Sequence, residues 1–73
     1  MNYQSHIQTD SQSRLVKPCI KGTRITVYDV LGWLASGMNH QEIISDFPEL
    51  KEEHILACLA FAADKEHRVQ IVG

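Results

Sequence analysis

Two thiols, four imidazoles and a short run of cations are the groups in this 73-residue chain with chemistry to offer. His54 and Cys58 stand four apart, the spacing at which two side chains on one helix face can share a metal ion. Further ligands would have to come from Cys19, His40 or His67, and no Cys-x-x-Cys or His-x-x-Glu-His pattern supplies them. Packing of Cys58 and a surface position for His54 explain the pair more simply. Cys19 lies between Lys17 and Lys21, a setting that would suit a nucleophile, but no base is placed beside it. Gly22 alone does not make a phosphate loop, and Glu52-Glu53 reads as an exposed helix start. The chain is therefore read as non-catalytic, with no metal and no cofactor.

The cations are the stronger signal. Lys17-Pro18-Cys19-Ile20-Lys21-Gly22-Thr23-Arg24-Ile25-Thr26-Val27 packs a rigid Pro, a turn Gly and three positive charges in front of a helical pattern. Residues 1–27 carry Arg14, Lys17, Lys21 and Arg24 against Asp10, a net charge of +3. Residues 28–73 carry three cations against eight carboxylates, a net charge of −5. A basic arm on an acidic body is a polarised molecule, suited to an acidic partner or to nucleic acid. Pro18 keeps Lys17 out of the helical region, Gly22 turns the chain between Cys19-Ile20 and Arg24-Ile25, and Thr23 closes that turn through its hydroxyl.

The elements that must position the arm follow from periodicity. Thr26 caps a first helix with Asp29 three residues on, and Val27, Val30, Leu31 and Leu34 form its inner stripe before Gly37 ends it. Asn39 and Glu42 make a capping box for a short second helix with Ile43, Ile44 and Phe47 inside and Pro48 as its stop. A third helix runs from Glu52 to about His67, leaving Arg68 to Gly73 as a frayed end or short strand. On that helix Ile55, Leu56, Leu59, Ala62 and Ala63 are expected to form the core stripe, with Phe61, Ala57 and Cys58 opposite. Trp33 falls to one side of the first helix. Trp33 and Phe61 are then surplus aromatics, either anchors for a partner or surfaces covered by the chain's own ribbon.

The resulting expectation is a mainly α, tri-helical helix-turn-helix bundle with a short extended or β N-terminal arm. Residues 1–13 are a flexible segment in which only Ile7 docks, 14–26 the basic arm and 27–67 the bundle. A domain this short buries about 60% of its unfolded surface, and its core rarely yields more than ~3–5 kcal/mol, so a second copy or a partner would add stability. No leader-like apolar run opens the chain and no stretch reaches the ~20 apolar residues of a membrane span, which implies a cytoplasmic protein with reduced thiols.

The arm sequence resembles the "GKPvIrGTRipV" signature of the bacterial domain-of-unknown-function family 433. Leu34-Ala35-Ser36-Gly37, Glu42-Ile43-Ile44-Ser45-Asp46-Phe47-Pro48-Glu49-Leu50 and Glu53 to Ala63 are similar to its later segments, in order and at matching spacing. Leu15-Val16 stands where glycine is usual, and Lys51 replaces the usual Ser or Thr cap of the third helix. The resemblance implies a homeodomain-like fold for the bundle, a homodimer, and an antitoxin of a type II toxin–antitoxin pair, whose partner is a PIN-like ribonuclease toxin. Lys21, Arg24, Trp33 and Phe61 are the candidate partner contacts, with Arg24 either pairing a carboxylate of the nuclease or bonded internally to Asp29. The alternative is a helix-turn-helix DNA-binding regulator without a toxin partner, using Arg14, Lys17, Lys21 and Arg24. Pro18, Gly22 and Thr23 are assigned to the turn.

Overall fold

A computed structural model describes residues 3–8 and 17–72, the side chains of 66–72 excepted. A 3-10 turn at Tyr3–Ser5 leads into strand β1 (Ile7–Gln8), which pairs antiparallel with β2 (Cys19–Ile20) in the register Ile7 to Ile20 and Gln8 to Cys19. Helices α1 (Val27–Ala35), α2 (His40–Asp46) and α3 (Glu52–Val72) follow. The architecture is a small three-helix bundle carrying a short N-terminal β arm.

Both early helix starts are built as their residue types dictate. Thr26 Oγ1 accepts the Asp29 N–H at 3.0 Å while Asp29 Oδ2 accepts the Thr26 N–H at 3.1 Å. Asn39 and Glu42 make the same reciprocal pair at 2.8 and 2.9 Å. Such boxes satisfy amide groups that the first turn of a helix leaves unpaired. At the other end of α1, Gly37 takes φ 104°. Its N–H reaches Leu34 O and that of Met38 reaches Trp33 O, both at 3.1 Å, the Schellman arrangement that needs a residue tolerant of positive φ.

The core contains Ile7, Ile20, Val27, Val30, Ile43, Leu50, Ile55, Ala57, Cys58 and Phe61, with Leu31, Trp33, Leu34 and Phe47 packed partly against it. Burial of Val27 and Val30 follows the expected stripe of α1. On α3 the expected stripe holds at Ile55, which is fully buried, but fails at its leucines. Leu56 and Leu59 are 43% and 39% exposed, whereas Cys58 is fully buried and Phe61 is 7% exposed. Both faces of α3 are apolar, so periodicity leaves its rotation open; docking against α1, α2 and the N-terminal segment chose the face with the aromatic. Leu50, which no periodic stripe contains, is buried by the turn in which its N–H bonds Phe47 O at 2.9 Å.

Two boundaries also move. Tyr3 to Gln8 belongs to the folded body rather than to a flexible segment, because Ile7 is buried against the core and Tyr3 packs edge-on to Phe61 at 5.6 Å. The Tyr3 hydroxyl also donates to Asp64 Oδ2 at 2.6 Å. Residues 1–2 and 9–13 of that segment lie outside the described residues. Helix α3 continues past His67 to Val72, so residues 68–72 are neither a strand nor a frayed end.

Candidate functional site: a rigid basic hairpin beside an open groove

The basic arm is a tight hairpin bolted to the start of α1. Pro18 is buried, and its carbonyl accepts the Val27 N–H at 2.9 Å, satisfying an amide at the opening of the helix. Cys19 bridges Thr26, and Ile20 N–H bonds Ile25 O at 2.9 Å. Thr23 N–H closes the turn onto Ile20 O at 3.0 Å, with Gly22 at φ 80°. Positive φ at the third position is what a type II turn requires, which is why glycine stands there. The Thr23 hydroxyl adds two bonds, donating to Ile20 O at 2.9 Å and accepting from Ile25 N–H at 3.0 Å. Lys21 N–H reaches back to His6 O at 2.9 Å, tying the turn to the N-terminal segment.

This geometry presents charge. Ile20 is fully buried and anchors the hairpin, while Lys17, Lys21, Gly22 and Arg24 are exposed. The internal pairing of Arg24 with Asp29 is not formed: the Asp29 carboxylate serves the Thr26 cap instead. Among the described residues the side chains at ion-pair distance are His6 with Glu53 and His40 with Glu52, charged pairs only where the imidazole carries a proton, and neither Lys21 nor Arg24 has such a partner. Arg14 lies outside the described residues.

Beside the hairpin tip opens a groove of about 650 Å³ lined by Gln8, Gly22, Thr23, Arg24, Ile25, Phe47 and Glu49. It is a shallow trough rather than an enclosed pocket. Phe47, from the end of α2, stacks on Trp33 with ring centres 4.2 Å apart and planes within 10°. Trp33 is thus half-buried by an aromatic neighbour and backs the Phe47 wall of the groove. Phe61 is a different case. It is a core residue, covered by Tyr3 on its edge and by Lys65 over its ring at 5.2 Å, so it is not available as a partner anchor. The assignment of Phe61 to a surplus surface is therefore corrected. Phe47 and Glu49 join the site only because the linker between α2 and α3 folds towards the hairpin, a relation with no local signature.

The groups with chemistry elsewhere are already engaged. Cys58 is buried, which pushes its thiol up to about 11 and makes it a poor ligand or nucleophile. His54 turns Nδ1 to the Lys51 N–H at 2.9 Å rather than towards Cys58. Cys19 Sγ is 3.2 Å from Lys17 O. Among the described residues no three His, Cys, Asp or Glu side chains come together as a metal site. None of the described helices is long and apolar enough to cross a membrane.

Comparison with curated proteins and with solved structures returns no match. The family comparison does, and its match spans β1, the hairpin, α1, α2 and α3 as far as Ala62. Over residues 7–62 the sequence fits the family described as protein of unknown function DUF433, and the chain belongs to that family.

Proposed function

We propose that this protein is a non-catalytic, cytoplasmic interaction module of the antitoxin kind, whose basic hairpin enters the carboxylate-lined metal site of a PIN-like ribonuclease. The observation that carries the reading is the hairpin itself. Its tip holds Lys21 and Arg24 exposed, with no ion-pair partner among the described residues, on a backbone braced by Thr23, Gly22 and Pro18. An arm ordered before binding loses little entropy on docking, and a guanidinium suits bidentate pairing with a carboxylate. The groove walled by Phe47 would take an apolar or backbone element at the edge of the same contact. A homodimer, which would add burial to a small core, and autoregulation of its own operon belong to the same proposal.

The test is a ribonuclease assay with a PIN-like nuclease, the product of the adjacent gene being the first candidate, with and without the purified chain. Wild type should bind and suppress cleavage. Arg24→Ala should weaken inhibition by roughly 30-fold or more, the effect of stripping one partner from a buried charge pair at about 2–5 kcal/mol, with helicity unchanged. Full inhibition by Arg24→Ala, or no association with the nuclease, refutes the reading.

The DNA-binding alternative draws on the same exposed Lys17, Lys21 and Arg24, but α3 opens with exposed Glu52 and Glu53, which oppose phosphate. It requires affinity for duplex DNA that falls steeply with salt and disappears on charge reversal of Lys17 and Lys21.

A further inference from the structure

The imidazoles of His6 and His54 meet edge to face, 5.4 Å between ring centres at 84°. Each is also tied to a different part of the molecule. His54 is the third residue of α3, and its Nδ1 accepts the Lys51 N–H at 2.9 Å. That is the bond a Glu or Gln makes in a capping box. Helices α1 and α2 use Asp29 and Glu42 for it, whereas α3 uses an imidazole, and Lys51 has no side-chain oxygen to return. To accept, Nδ1 must carry no proton, so the ring is the neutral Nε2–H tautomer. His6 reaches the other way. Its carbonyl accepts Lys21 N–H at 2.9 Å, and its Nε2 lies 3.9 Å from Glu53 Oε2.

We propose that the His6–His54 contact is a proton-operated latch that holds the N-terminal strand and the basic hairpin against the start of α3 and releases them when both rings are charged. A proton on Nδ1 of His54 would face the Lys51 N–H donor to donor and remove the cap. Two imidazolium rings 5.4 Å apart would repel, against the attraction of Glu53 for a charged His6, and because the His6 carbonyl anchors Lys21, motion of that segment frees the Lys21 amide. The charged groups around His54 are His6 from the N-terminal segment and Glu53 and Lys51 from its own end. Burial, then His6, and more weakly Lys51, hold the His54 pKa below its ordinary value, and Glu53 alone favours the proton. His40 on α2 is engaged by Glu52 at 2.5 Å and does not join the pair.

The latch is independent of what the hairpin binds. It is tested on the full chain by amide hydrogen exchange, read by NMR as protection factors between pH 7.5 and 5.5, with the histidine ring signals titrated in parallel. Protection of the Lys51 and Lys21 amides should fall at least tenfold in step with the titration of His54, while the Val27 amide, bonded to Pro18 O, keeps its protection. His54→Gln, whose side-chain oxygen accepts from Lys51 without titrating, should abolish the pH dependence. His6→Phe, which keeps the ring contact without the charge, should move the His54 midpoint upward. Constant Lys21 protection through the His54 titration overturns the proposal. So does an unchanged pH response in His54→Gln, an unmoved midpoint in His6→Phe, or simultaneous loss at Val27, which would mean global unfolding.

Discussion

Replacing Thr23 by Val tests whether the hairpin is braced from within. The two side chains share shape and β-branching, so the backbone preference is kept and only the hydroxyl is lost. That hydroxyl makes two bonds, to Ile20 O at 2.9 Å and from Ile25 N–H at 3.0 Å. Ile20 O retains the Thr23 N–H, but the Ile25 N–H has no other partner among the described hydrogen bonds. At about 0.5–1.5 kcal/mol for each bond, the substitution should cost roughly 1–3 kcal/mol. A core of this size yields about 3–5 kcal/mol, so the loss is a large share of the whole. At about 4–8 °C for each kcal/mol in a domain of this length, the thermal midpoint should fall by roughly 4–24 °C. Circular dichroism at 222 nm gives the midpoint, and Thr23→Ser, which restores the oxygen, should recover most of it. A Val variant as stable as wild type, or a Ser variant as damaged as Val, would refute the bracing argument.

Further outcomes follow from the core and the titrating groups. Phe61→Ala should cost about 3–5 kcal/mol and leave the chain largely unfolded at 37 °C, whereas Leu59→Lys on the exposed side of α3 should change stability by no more than about 0.5 kcal/mol; urea denaturation compares them. Iodoacetamide at pH 8 should alkylate half-exposed Cys19 in the native protein but reach Cys58, buried with its thiol near 11, only after denaturation, as peptide mass mapping would show. The His54 pKa is lowered in the folded state from 6.5, so on acidification the unfolded chain takes up the proton first. Stability should be level above that value and decline as pH falls from about 6.5 towards the folded-state value. His54→Gln should remove that part of the decline in a series of denaturant midpoints. A decline that persists unchanged in the variant would assign it to other groups.

The local instructions of this chain were legible because they act within four residues. Thr26 with Asp29, Asn39 with Glu42, Gly22 at the turn and Gly37 at the end of α1 each satisfy a backbone requirement set by their neighbours, and each is found where its residue type places it. Exposure of Lys21 and Arg24 follows from the same turn, since its two ends are anchored by buried Ile20 and half-buried Ile25.

What only the tertiary structure decided are the choices that local rules leave degenerate. Helix α3 carries two apolar faces, and the sequence pattern favours Leu56 and Leu59 as readily as Cys58 and Phe61. Packing chose the latter, because Tyr3 from a segment that reads as loose supplies the cover for Phe61. Trp33 could not be matched to Phe47 in advance, since the stack joins residues from different helices whose relative placement is set by the core. His54 reads as a surface residue beside an unsuitable cap. It becomes the cap itself because Lys51 offers no oxygen and the neutral ring is held against His6. Hydrogen-bond partners a few residues apart are dictated by chain geometry, whereas the faces that meet across the core are dictated by which combination of elements buries the most apolar surface together.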